Sequence, residues 1–445
     1  MSKRKEIFLV YRPIADDSVK EAIEHLAKST NLVLLNENPS ALPRWTKDVF
    51  QSVLKIRLTE PEQAVETIRI YCQESGYKPI GLAPLDNEAG VFFLAEIAPK
   101  LGLRFLSKDC VRAVRDKYQM RRLFLEHDLP SVPFSEVSTV DEAEMKAQEI
   151  GYPIVIKPRS AGGSLFVRRI NNFDELRSCF DEYLESGTQI SSFDPLGAQI
   201  KPSLILEKLI EGVTLFDTSL DLPVGEVSIE GFVYNGRVCI LGHHDKPLSS
   251  NGPYYEEVVL STPSRLPTDF IKELNLLAER TVKAVKLDNS FFHIETRTTK
   301  IGPILLEIAG RIGGLVSLAI KESTGIDMFE IMYRLYSGLP IEDNLITPKF
   351  NRPIIRFCLF AEEGYLEAID GLDVVKAHPL VIDVLIHQQP GSYVYRAPRS
   401  YQSTLQVMVT GENHSEAETV GLWAQDQIKF RTKRDSGDVA FKLSY

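Results

Sequence analysis

The sequence predicts a multidomain chain of mixed α/β and α+β class: a small parallel α/β domain, two α+β units, and a β-rich tail. Three observations lead there. Strand and helix signals alternate from the start to about residue 110, charged residues punctuate apolar strands in the middle, and short β runs return from about 350. The usual domain size divides 445 residues into about three units. The pattern separates segments 1–115, 116–211, 212–349 and 350–445, the last a small tail. With 44% hydrophobic and 25% charged residues, each can bury a core.

In the first segment "EIFLVY", "NLVLLNE" and "KPIGLAPL" read as strands. "DDSVKEAIEHLAKS", "EPEQAVETIRIYCQESG" and "NEAGVFFLAEIAPKLG" read as helices, the last two ending on Gly76 and Gly102. No G-x-G-x-x-G follows the first strand, so a dinucleotide fingerprint is absent and the unit reads as support and pocket wall. In the second segment "DKYQMRRLFLEHD", "VDEAEMKAQEIG" and "NFDELRSCFDEYLES" are helices, while "SEVST", "YPIVIKP", "LFVRRI" and "SLILEKLI" are strands. Residues 186–202, polar with Gly and Pro, read as a mobile loop. The third holds the hairpin "VSIEGFVYNGRVCILGH" with Asn235-Gly236 at its tip, a helix over 268–287, and a second hairpin, "FFHIETRTTKIGPILLEIA". The tail runs through "PIIRFCLFAEE", "VIDVLIHQQ", "SYVYRA" and "TLQVMVTGE" to a helix, "SEAETVGLWAQDQI".

Composition excludes several classes. No apolar run reaches the 18 residues of a membrane span, and the opening apolar run is too short for a secretory signal. The five cysteines are scattered without a C-x-x-C pair, which reads as reduced thiols in a cytoplasmic protein. A formal charge of −10 with no basic stripe argues against nucleic acid.

The chemistry gathers at the second hairpin. A turn centred near Ile301 sets Glu295 opposite Glu307 on one face. Two neighbouring carboxylates repel unless a cation lies between, and magnesium against nucleotide phosphates suits that. Arg311 and Gly313-Gly314 follow. Lys157 ends a strand before the small "RSAGGS" loop, so its ammonium and the loop N–H groups can meet phosphates, with a plain turn as the alternative. Lys117 at a helix start also points to an anion. Glu207 lies at a strand end, and Glu226, Ser228 and Glu230 alternate on one strand face, as ribose acceptors or as solvent-facing positions. His243, His244 and Asp245 alternate faces, which disfavours zinc and leaves Lys246 as the phosphate contact. His293 shares the face of Glu295, to orient it or to fill the sheet.

The ordered set "RDKYQMRRLF", "YPIVIKPRSAGGS", "LILEKLIEG", "GEVSIEGFVYNGR", "HDKP", "HIETR", "GPILLEIAGRIGG" and "PGSYVY" resembles the ATP-grasp superfamily of carboxylate–amine ligases, nearest the L-amino-acid (dipeptide) ligase branch. The resemblance implies two α+β subdomains clasping ATP. Lys117 and Lys157 would hold its phosphates under the loop Ser160, Gly162, Gly163 and Ser164. Glu207 would meet the adenine amino group, with the Lys208 and Ile210 backbones completing the purine edge, and Glu226 would bind ribose. Glu295 and Glu307 would hold two magnesium ions, or manganese in their place. Arg311 would clamp the reacting carboxyl group, Lys246 the acyl phosphate, and Gly313-Gly314 would admit the substrate beside His293. Glu257, with Glu256, would meet the substrate amino group.

The implied reaction joins a small-molecule carboxylate to an amine through an acyl phosphate, with closure of the 117–211 lid excluding water. No nucleic acid or membrane is expected as a partner, and the tail offers a homodimer surface. Two departures stand out: "EIA" replaces the common "E-I-N", so Ala309 gives no third side-chain oxygen, and residues 213–225 lengthen the stretch before Glu226. A purine-biosynthetic or biotin-carboxylase type using formate or bicarbonate, and a non-catalytic ATP-binding protein, are the competing readings.

Overall fold

The computed structural model describes residues 5–12, 19–193, 204–213, 224–247, 254–314, 316–397 and 399–434. The first unit is a parallel sheet ordered Phe50–Lys55, Asn31–Asn36, Glu6–Tyr11, Lys78–Ala83. Central strands here are continuous apolar runs, because helices cover both faces. Phe50–Lys55 is absent from the sequence reading. As an edge strand it fully buries only Phe50 and Leu54, so its apolar signal is weak. The helices Pro61–Ser75 and Glu88–Leu101 end as expected, on Gly76 and Gly102 at φ +69° and +68°.

The second unit is an antiparallel sheet ordered Phe134–Val137, Leu204–Lys208, Ile154–Pro158, Arg168–Ile170. Ala143 and Ala147 of one helix and Leu176, Cys179 and Phe180 of another cover it. The second helix runs Phe173–Phe193, so the first part of the loop expected over 186–202 is helical. The remainder, 194–202, lies outside the described residues.

The floor is one antiparallel sheet of eight strands, ordered Gly302–Ala309, Phe291–Thr299, Glu226–Tyr234, Arg237–Lys246, Val259–Thr262, Ile354–Leu359, Leu405–Thr410, Val381–Ile386. The boundary expected at 349/350 therefore crosses a continuous sheet. Val259–Thr262 pairs directly with Ile354–Leu359, and an unpaired strand there would leave a row of open backbone groups. The first floor hairpin turns on Asn235 and Gly236 at φ +52° and +76°, the positive pair a type I′ turn needs.

The second hairpin pairs regularly from Thr299↔Gly302 to Thr296↔Leu305, and that register alone would set Leu306 across from Glu295. An extra residue at Leu306 shifts it, so Glu295 faces Glu307 and Ile294 faces Ile308. A bulge of this kind re-aims side chains beside functional sites. Glu226–Tyr234 lies inside the sheet, and Ser228 and Glu230 are completely buried. The solvent-facing reading of that strand is thereby corrected. Among the described residues no helix is long and apolar enough to cross a membrane.

Candidate active site

A cavity of about 490 Å³ opens between the lid sheet, the floor and the tail strands. Glu295 and Glu307 stand side by side on its floor. Lys246 Nζ lies 2.7 Å from Glu295, 3.4 Å from Glu257 and 3.8 Å from Glu226. Lys117 Nζ lies 3.3 Å from Glu307 and donates to the Ala161 carbonyl at 2.7 Å. His293 bridges Glu230 at 2.5 Å and Glu295 at 3.3 Å. Burial would raise the Glu295 carboxyl, but Lys246 and His293 hold it well below the usual range. Burial would lower His293, yet Glu230 pushes it up to about 10.

These two carboxylates suit magnesium. Among the described residues no cluster of three or more His, Cys, Asp or Glu could cage a metal. A hard cation shared between one or two carboxylates and substrate phosphates needs no such cage. Ala309 lies across from His293 and supplies no side-chain oxygen. Two of the three residues His243–Asp245 are engaged elsewhere: His243 bonds Asn275 at 2.8 Å and Asp245 accepts the Arg265 N–H at 2.8 Å, while the buried His244 ring makes no hydrogen bond among the described residues.

On the lid, Lys157 Nζ lies 2.8 Å from Glu207, whose two oxygens also take Arg121 at 2.9 and 2.8 Å. Burial would raise Glu207, but Arg121 and Lys157 bring it down to about 2. The carboxylate is the counter-ion of two buried cations, and Glu207 also lines the cavity. Burial lowers Lys157, Glu207 offsets part of that, and Arg121 and Lys117 add to it. A polyanion would relieve this concentration of positive charge. The Lys208 side chain ties down the Gly151 and Tyr152 carbonyls, and its N–H donates to Pro133. The Ile210 carbonyl accepts from Arg297 at 3.4 Å. Ala161, Gly162, Gly163 and Ser164 line the cavity, with Gly163 and Ser164 at φ +61° and +58°. Ser160 does not line it; it is buried beneath, facing Arg115 at 3.4 Å.

Arg311 lines the cavity but spends its Nε on Glu88, and Arg115 meets the same carboxylate at 2.6 Å. Burial would raise Glu88; Arg311 and Arg115 bring it down to about 2. The first unit thus supplies a charged anchor as well as support. Glu226 pairs with Arg297 at 2.8 Å. Glu257 is held by Arg356 and Lys246, whereas Glu256 faces Arg396 of the tail at 2.9 Å. Gly313 is required by close packing, since a Cβ would sit 2.7 Å from His293 and 2.8 Å from Glu230. Gly313 is not among the residues that line the cavity. Gly314 has open space and lines the cavity.

Sequence reading missed Glu88, Arg121 and Arg356. Glu88 follows the capping Asn87 and reads as an ordinary helix start. Arg356 carried a usable signal, a charge inside the apolar run "PIIRFC".

An ATP-grasp domain model matches residues 150–319, and the L-amino acid ligase C-terminal domain 2 matches residues 356–433. Alanine–anticapsin ligase of Bacillus subtilis is 25% identical over 280 residues, 61% of this chain and 57% of that protein. The chain spans between 52% and 57% of the alanine–anticapsin ligases it matches. The crystal structure of L-amino acid ligase from Bacillus licheniformis superposes with a TM-score of 0.78 at 21% identity, over 97% of this chain and 100% of that one. The biotin carboxylase domain of Hydrogenobacter thermophilus 2-oxoglutarate carboxylase, solved with MgADP and bicarbonate, gives 0.71 at 18% identity, over 96% and 91%. The fold and the two domain matches agree: the chain carries an ATP-grasp domain at 150–319 and an L-amino acid ligase C-terminal domain 2 at 356–433.

Proposed function

We propose that this protein is an ATP-dependent ligase that joins the carboxylate of an amino acid to an amine through an acyl phosphate. One observation carries the reading: Glu295 and Glu307 face each other in a cavity whose walls bring Lys117, Lys157, Lys246 and Arg311 together. Lys117, Lys157 and the N–H groups of the 161–164 loop bind the nucleotide's phosphates. The Lys208 carbonyl and Ile210 N–H are offered to the purine edge, and Glu226 to the ribose. Two magnesium ions held by Glu295 and Glu307 would supply charge neutralisation at the transferring phosphoryl group.

Arg311 orients the carboxylate, which attacks the γ-phosphorus and releases ADP. The amine then attacks the acyl carbon and phosphate leaves; of the two protons the ammonium gives up, one ends on phosphate and one in solvent. Glu257 receives the ammonium, and Lys246 holds the acyl phosphate. The L-amino acid ligase type of tail, whose residues Arg356, Cys358 and Gln406 line the cavity, favours an amino acid over bicarbonate or formate.

ADP release should require ATP, magnesium and a pair of amino acids, and be indifferent to bicarbonate. Glu307→Gln should slow it by on the order of 100-fold and weaken magnesium-dependent nucleotide binding in calorimetry. Turnover at the normal rate in that variant would refute the ion assignment.

A further inference from the structure

We propose that Glu230 is a positioning residue: one buried carboxylate that sets the metal ligand Glu295 through His293 and the Arg311 turn through the Gly313 N–H. The inference rests on the ligase reading above. Glu230 and His293 are register partners on neighbouring floor strands, and Glu295, two residues beyond His293, shares the histidine's face. One Glu230 oxygen lies 2.5 Å from His293 Nδ1, and the other accepts the Gly313 N–H at 3.2 Å. The second ring nitrogen, Nε2, lies 3.3 Å from Glu295. Glu230 is completely buried and stays behind the cavity wall, which His293, Glu295 and Arg311 line. It therefore acts on the reacting groups through its neighbours.

Both links bear on binding. A metal ligand keeps its aim through the groups that hold it from behind, and loss of one of those commonly lowers metal affinity about 10- to 100-fold. Gly313 lies two positions past Arg311, so its N–H fixes the backbone that carries the carboxylate clamp. A side chain needed at 230 only to fill space would be apolar, because burying a carboxylate is unfavourable unless it is paired and hydrogen-bonded. The space around the pair is already filled. A Cβ on Gly313 would lie 2.7 Å from His293 Nδ1 and 2.8 Å from the Glu230 oxygen that meets it. Gly313→Ala therefore disturbs the same contact without removing a polar group or a charge.

The test compares Glu230→Met, close in length but without an acceptor oxygen, with Glu230→Gln, whose oxygen takes the Gly313 N–H while its amide meets His293 Nδ1. In the full chain saturated with ADP, Glu230→Met should weaken Mn2+ binding, read by electron paramagnetic resonance, by about 10- to 100-fold. With the amino-acid pair that gives the fastest ADP release, its KM for the amino acid that gives its carboxylate should rise about tenfold. Glu230→Gln should recover most of both. Gly313→Ala should also weaken Mn2+ binding; if melting curves show Glu230→Met unfolded, this variant decides, and unchanged Mn2+ affinity in it overturns the inference. Wild-type Mn2+ affinity and KM in a folded Glu230→Met protein overturn it too, and leave the ligase reading standing. No ADP release by the wild type with any pair overturns the ligase reading and the Arg311 link with it, and Mn2+ affinity then decides the Glu295 link.

Discussion

At the scale of single residues the site is a set of buried charges that hold one another in place. Glu207 is the clearest case, with Arg121 and Lys157 both within 2.9 Å. Glu207→Gln would leave two buried cations against a neutral amide, a change that typically costs about 3–5 kcal/mol; urea unfolding measures it. The pH dependence follows from the direction of the shift. Folding depresses this carboxyl from 4.5 to about 2, so its contribution is complete above the unfolded value and disappears as pH falls toward the folded one. The melting temperature should therefore drop between those two values, and less steeply in Glu207→Gln. Parallel curves would mean that the pair contributes nothing. Glu88 acts on Arg311 in the same sense. Freed by Glu88→Gln, the arginine loses its anchor, and the KM for the carboxylate substrate should rise about tenfold, the effect of one lost charge-assisted contact.

At the scale of elements, close approach decides more than propensity. Gly421 sits inside the helix His414–Gln427, where alanine would ordinarily be better by about 1 kcal/mol. A Cβ there would lie 1.8 Å from the Phe357 ring. Overpacking of a core costs about 1–3 kcal/mol or more, so Gly421→Ala should destabilise, and Phe357→Leu in the same chain should recover part of the loss. A neutral or stabilised Gly421→Ala protein would show that the helix can shift. The hairpin carrying Glu295 and Glu307 shows the limit of pattern reading. Counting symmetrically about Ile301 does pair the two glutamates, but the real turn is centred half a residue earlier, and the bulge at Leu306 restores the match.

At the scale of the molecule, the tail and the middle of the chain share one sheet. The two sides meet at four register pairs, from Val259↔Phe357 to Thr262↔Ile354. A chain ended at 349 would expose that strand edge and strip Arg356, Cys358 and Gln406 from the cavity. It should aggregate and lose nucleotide-dependent protection from proteolysis, whereas an independent tail would leave a soluble, nucleotide-binding remainder.

The chain's own pattern was enough for the parallel first unit, the positive-φ turn at Asn235-Gly236 and the order of the floor strands' charged residues. Those features are written in local periodicity and turn chemistry, which a one-dimensional pattern carries. The tertiary structure alone decided which charges meet. Glu88 reaches Arg311 across 223 positions and Arg121 reaches Glu207 across 86, and nothing periodic links them. Buried ions take whatever counter-charge the packed elements bring within reach, because leaving one unpaired is the costlier arrangement.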